Sequence, residues 1–203
     1  SRAAWIASLV SCGYVVLRLY REKIKSFVLR HRYALLGVLI VGTLFATGMY
    51  FIKRDSVDGR LLIWKITTQA IADSPWGVEG GKTFSAFYGD VQERYFTDCK
   101  YSDSEAWVAG TPDFAFNEYL QIAVEYGVWG SVLFVTVLLM LLKIAGNCKH
   151  LAGMGGCLVS LMVFACFSYP IHIPAIVSIW SLVVIVLCGE GLVMMKYRLI
   201  PKI

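Results

Sequence analysis

Phe116-Asn117-Glu118-Tyr119-Leu120-Gln121-Ile122-Ala123-Val124-Glu125-Tyr126-Gly127-Val128-Trp129-Gly130 is the stretch whose reading decides the rest of the chain. Taken as one helix, it puts Asn117, Glu118, Gln121 and Glu125 on a single face, since spacings of one, four and eight overlap. The residues that follow, Val128 to Leu142, carry no charge and run straight into Lys143. They are too few for the ~20 apolar residues that a bilayer core demands. The polar-faced turns are therefore expected to complete the span, with their polar side turned away from lipid, because acids at membrane depth face protein or water. The helix reads as one wall of a wet site near the outer edge of a membrane protein.

Composition supports that class. Of the 203 residues, 58% are hydrophobic and 16% charged, against roughly half and a quarter in soluble domains. The net charge of +5 does not indicate nucleic acid, because the basic residues sit between apolar stretches. Cys12, Cys157, Cys166 and Cys188 lie inside those stretches and read as plain thiols, not as a metal or redox site. Ser1-Arg2 leads directly into an apolar segment without a signal-peptide pattern, so the chain reads as the C-terminal part of a larger polytopic protein.

The expected fold is an all-α integral membrane protein with about five transmembrane helices and one large structured extracytoplasmic loop. The spans are placed at 3–19, 33–52, 118–142, 151–168 and 175–195, and the loop at 53–115. From Leu151 to Gly189 there is no Asp, Glu, Lys or Arg, and Pro170 and Pro174 divide this run in two. Arg18, Arg21, Lys23, Lys25, Arg30 and Arg32 form a basic loop after span one. Together with Lys143, Lys149 and the tail lysines and arginine, they mark one side as cytoplasmic. The C-terminus then lies inside and the long loop outside. That loop has seven basic and ten acidic residues, a helix expected from Gly59 to Asp73 with Asp58 as its N-cap, and an aromatic run. Such a loop reads as functional.

Several residues carry chemistry on this map. Arg2 and Arg60 sit at the outer ends of spans one and two, where guanidinium groups suit an anionic lipid head. Glu118 and Glu125 suit a base or a sugar contact, with Asn117 and Gln121 beside them. His172, in a Pro-flanked turn, is the outer-side histidine. Gly81-Lys82-Thr83 ends like a phosphate-binding loop, but the glycine required five positions earlier is Trp76, so this reading is set aside.

These stretches resemble the bacterial O-antigen ligases and the related polysaccharide polymerases. Ser1-Arg2-Ala3-Ala4-Trp5 is similar to the family's Ser-Arg-Gly/Ala start of a span. Gly59-Arg60-Leu61-Leu62-Ile63-Trp64, then Pro75-Trp76-Gly77, Gly81 and Phe84, is similar to the opening of its periplasmic loop. Asn117, Gly127 and Gly130 match the spacing of a third motif whose leading histidine is here Phe116. The resemblance implies a metal-independent membrane glycosyltransferase of the inner membrane that takes no cofactor. Its donor would be an undecaprenyl-diphosphate-linked glycan and its acceptor the lipid A core or another glycan. Alternatives are a polymerase of the same family and a non-catalytic binder or transporter of lipid-linked glycan. The arginine roles carry over to Arg2 and Arg60; the histidine role does not carry over to a phenylalanine. Glu118, Asp113 and His172 remain as candidate bases, beside a step that runs without one.

Overall fold

The structure is a computed structural model, and it describes residues 2–31, scattered positions from 33 to 43, and residues 54–77, 84–98 and 101–199. Its regular elements are helical: α1 (Arg2–Arg30), α2 (Arg54–Asp73), α3 (Phe84–Asp98), α4 (Asp103–Val108), α5 (Glu118–Asn147), α6 (Ala152–Ala165) and α7 (Pro174–Leu199). Short 3₁₀ turns at Lys149–Leu151 and Pro170–His172 flank α6. Among the described residues, three helices are long and apolar enough to cross a membrane: Arg2–Phe27, Glu118–Asn147 and Pro174–Lys196. Their large apolar side chains stand largely unpacked, as Leu9, Leu133, Leu182, Ile185 and Leu192 show. Such faces suit acyl chains and would be a liability in water. The span expected at 33–52 lies mostly outside the described residues.

Boundaries differ from the sequence reading where local chemistry favours helix. Span one does not give way to a basic loop at Arg18; α1 bends at Tyr20 (φ −123°, ψ 26°) and continues to Arg30. Arg, Lys and Glu are good helix formers, so a basic run need not be a loop. α2 begins at Arg54, before Gly59, which places Asp58 within the helix and not at its N-cap. α6 has 14 residues, about 21 Å of rise, and is shorter than the expected span 151–168. Tight Cys166→Val163 and Phe167→Phe164 backbone bonds close its last turn before Pro170.

α5 is divided. Gly127 has φ 76° and ψ 170°, outside helical space, so the element is two helices joined end to end. The lower piece runs past Lys143 to Asn147. From Val128 it rises about 30 Å, the hydrocarbon thickness, without help from the polar turns above the break.

Two cores result. In the loop region Leu62, Ile66 and Ala70 of α2 pack with Phe84, Tyr88, Val91 and Tyr95 of α3 and with Ala115 and Val124. Both helices show the 3.6-residue spacing of a buried stripe. Lys65 Nζ donates to Tyr95 Oη (2.6 Å) and to Glu105 Oε1 (2.7 Å), and a Ser102–Glu105 capping box starts α4. The Glu105 hydrogen bond holds the Lys65 amine above its ordinary range, and the same bond holds the Glu105 carboxyl below its own. Stabilisation by this pair is therefore present from the ordinary carboxylate range upward. It is lost as pH falls through the depressed Glu105 value, or as pH rises through the elevated Lys65 value. Lys65 is half exposed, so solvent screening keeps the contribution to about 0.2–1 kcal/mol. Glu105→Gln is expected to lower the thermal transition slightly at neutral pH and not at all in acid.

The second core joins Leu138, Leu141 and Ala145 of α5 to Leu151, Leu158 of α6 and Val183, Leu187 of α7. α1 rides on α6 through glycines. Ser11 Oγ donates to the Gly156 carbonyl at 2.7 Å, and a Cβ on Gly156 would stand 2.5 Å from Val15. On Gly155 it would meet Tyr14 at 2.8 Å. Small residues allow this approach between helices that have no hydrophobic drive to associate in lipid. Gly156→Leu is expected to push α1 away and cost about 1–3 kcal/mol in a detergent melt. Gly153→Ala, where a Cβ meets nothing within 4 Å, is expected to melt like the parent.

Candidate functional site

A cleft of about 830 Å³ lies between the start of α1 and the start of α2. Arg2, Trp5 and Ile6 line one side, Val57, Arg60, Leu61 and Trp64 the other, with Phe167 from the α6–α7 turn. Its wall is apolar apart from two guanidinium groups and Ser56. Trp5 and Ile6 are exposed, so the cleft is open along the flank where α1 presents its apolar face.

Arg60 is held in place. Its Nη1 donates to the Phe167 carbonyl at 3.1 Å, and its guanidinium lies 5.1 Å from the centre of the Phe116 ring. Trp64 Nε1 donates to Ala115 O at 3.0 Å and ties the same helix to the segment before α5. Phe116 has φ 51°, a left-handed conformation that costs a bulky residue about 1–3 kcal/mol. That turn aims the ring at Arg60. Phe116 packs edge-on against Tyr169, which stacks on Phe114 at 4.4 Å, and Phe114 in turn meets His172 at 4.8 Å. The α6–α7 turn thus forms the back of the site.

The polar face of α5 divides into working parts. Asn117 is the N-cap: its Oδ1 accepts from the Tyr119 and Leu120 amides at 3.0 and 3.2 Å. Gln121, 2% exposed, accepts from the Ala115 amide at 2.7 Å and donates to Glu125 Oε1 at 2.6 Å. Asn117 and Gln121 therefore spend their polar groups on shaping the chain around Phe116. Glu118 is fully buried, and its Oε1 lies 3.1 Å from His172 Nδ1.

Above the membrane-crossing piece, the Gly127 break receives the Pro75-Trp76-Gly77 turn. Val128 N–H donates to Pro75 O at 2.9 Å, across the gap in the α5 ladder. Gly77 has φ 99°, and its missing Cβ would fall 2.8 Å from Gly127 N. A Cβ on Gly127 would fall 2.7 Å from Trp76 C and O. Two glycines with positive φ, far apart in the chain, are required by one close backbone crossing. Trp76, Tyr126 and Trp129 stand exposed around it.

The structure thus brings Arg2 and Arg60 to one cleft, and Glu118 and His172 to one contact behind it. Asn117, Gln121 and Glu125 form the support between them. Sequence reasoning missed Trp5, Phe167 and Tyr169 as site walls, and missed the Gly77–Gly127 crossing. The Pro-Trp-Gly and Gly-x-x-Gly motifs were the available signal for the crossing, but nothing in either motif names the other as its partner.

Comparison with known proteins agrees with the sequence resemblance. The O-antigen ligase family matches residues 1–135. A protein of Rickettsia bellii (strain RML369-C) with the provisional name polysaccharide ligase is 27% identical over 176 residues, 84% of this chain. The chain spans 40% of the length of that relative. No solved structure matches it. Helical throughout its regular described elements, with three described helices suited to crossing a membrane and two thirds of its length matched, this chain belongs to the O-antigen ligase family.

Proposed function

We propose that the protein transfers a glycan from undecaprenyl diphosphate to an acceptor hydroxyl at the outer face of the bacterial inner membrane. The observation that carries this reading is the cleft in which Arg2 and Arg60 share a largely apolar wall. A diphosphate suits the guanidinium pair, because a planar fork of N–H donors matches phosphate oxygens. A prenyl chain suits the aromatic and aliphatic wall and its exposed flank.

The reaction is a displacement at the anomeric carbon. An acceptor oxygen attacks, and the bond to the diphosphate oxygen breaks with its electron pair. Charge grows on the diphosphate as it leaves, and two arginines stabilise that charge where it develops. The leaving group is already activated, so the step needs neither a nucleotide nor a metal. Arg60 is preorganised for this task by Phe167 and Phe116 and does not have to be ordered by the substrate.

Orientation is supported by the opposite end of the molecule. Arg18 donates to the Gly146 carbonyl, which brings the basic end of α1 beside Lys149 and the end of α5. On this reading the basic cluster lies on the cytoplasmic side, and the arginine cleft, the 53–115 loop and the His172 turn lie outside.

Acceptor choice separates ligase from polymerase: lipid A core in the first, a second lipid-linked glycan in the second. A non-catalytic glycan binder is the reading that Phe116 favours, since a phenyl ring takes no proton. The test is reconstitution of the full-length protein with a lipid-linked glycan and each acceptor in turn. A lengthened or capped product is expected; donor binding without product in any combination would replace the enzyme reading with the binder.

A further inference from the structure

Glu118 is out of place as a mere structural residue. It is 0% exposed, and neither of its oxygens has a well-aligned hydrogen bond. Its nearest donors are His172 Nδ1, 3.1 Å from Oε1, and the Ile171 backbone N–H. A buried carboxylate without firm partners is costly, and a fold that only needed packing here would do better with an apolar residue. His172 lies on the last residue of the Pro170–His172 turn, with its side chain 30% exposed. Its ring meets Phe114 in a tilted contact, at a centroid distance of 4.8 Å.

The geometry points to His172 as the base that takes the proton of the acceptor hydroxyl, with Glu118 as its positioning residue. This rests on the glycan-transfer reading. A carboxylate facing Nδ1 favours the tautomer with the proton on that nitrogen and leaves the lone pair on Nε2. A carboxylate also stabilises the imidazolium that forms when Nε2 takes a proton, so the pair moves from one charge to a neutral ion pair. As the acceptor oxygen forms its bond to the anomeric carbon, its proton passes to Nε2. The bond to the diphosphate breaks, and the electron pair leaves on the diphosphate oxygen held by the arginines. Release of the imidazolium proton to water resets the pair. A small rotation of the ring aligns Nδ1–H with Glu118, a tightening of the kind that catalytic hydrogen bonds undergo when substrate binds.

Placement fits this assignment. The α6–α7 connection that carries His172 also carries Phe167, which lines the donor cleft and holds Arg60. Ring contacts run from Arg60 to Phe116, on to Tyr169 and Phe114, and so to His172. A hydroxyl at Nε2 and a diphosphate at the guanidinium groups would lie along one aromatic wall, with Phe116 part of that wall and not a proton acceptor.

The test is steady-state transfer by the full-length protein carrying His172→Ala, His172→Gln or Glu118→Gln, with Arg60→Ala as the control. His172→Ala is expected to lower kcat about 10²–10⁴-fold, the usual worth of a general base, with donor KM nearly unchanged. Imidazole added to the buffer is expected to restore part of that rate in His172→Ala, which a folding defect would not allow. Glu118→Gln is expected to lower kcat less, again without a change in donor KM. Wild-type kcat in His172→Ala, or a loss that imidazole leaves untouched in both histidine variants, overturns the assignment. If Arg60→Ala is dead while His172→Ala is fully active, only the base is wrong. If the parent protein itself transfers no glycan, the glycan-transfer reading fails and this inference fails with it.

Discussion

Gly127→Ala is expected to lower the thermal transition of the full-length protein by on the order of 10 °C. The reasoning has two independent parts. An L-residue at φ 76°, ψ 170° is strained by about 1–3 kcal/mol, because that region is open in practice to glycine alone. The new methyl would also stand 2.7 Å from Trp76 backbone atoms, and overpacking of that kind costs about 1–3 kcal/mol more. Backbone atoms cannot swing aside as a flexible side chain can, so either the Pro75-Trp76-Gly77 turn leaves or α5 straightens. Both movements disturb the segment from Ala115 to Gln121 that shapes Phe116, so transfer is expected to fall with stability. Gly89→Ala serves as the comparison, since a Cβ there meets nothing within 4 Å and alanine favours the helix by about 0.5–1 kcal/mol. Equal melting of Gly127→Ala and the parent would show that the crossing adds nothing.

Arg60→Ala is expected to cut glycan transfer by about 10²–10³-fold, the usual effect of removing one preorganised donor from a developing negative charge. Stability should change little, because the hydrogen bond to the Phe167 carbonyl that is lost is worth only about 0.5–1.5 kcal/mol. Arg60→Lys is expected to recover a small part of the rate: an ammonium keeps the charge but lacks the planar fork and the flat face that lies against Phe116. Arg2→Ala should behave like Arg60→Ala. Initial rates in proteoliposomes, with thermal transitions measured on the same preparations, separate the catalytic loss from a folding loss. Unchanged transfer by either alanine variant would remove that arginine from the mechanism.

Much of this architecture is readable from periodicity. The Leu62, Ile66, Ala70 stripe and the uncharged run of α7 are local patterns, and the helices follow them. What is not local is harder to read. Gly127 looks like an ordinary helix glycine until Pro75 and Trp76 are known to lie against it. Asn117 looks like a ligand until the helix is known to start at Glu118, whereupon it is a cap. The basic residues after Leu19 look like a loop because charge usually leaves the membrane, but charge and helix are compatible, and α1 continues. Arg2 and Arg60 each read as candidate anion ligands from residue type and position; their common cleft depends on how α1 and α2 pack. The partnership of Glu118 with His172 depends on a turn that the two prolines mark without revealing where it folds back.

The central claim is that two guanidinium groups in an apolar cleft hold a prenyl diphosphate. Its most direct test is titration of undecaprenyl diphosphate into the full-length protein in nanodiscs, comparing the parent with an Arg2→Ala/Arg60→Ala double variant. The account predicts saturable binding by the parent and at least about tenfold weaker binding by the double variant, given that each charge-assisted hydrogen bond is worth about 1.5–3 kcal/mol. Equal affinity in the two proteins would contradict it.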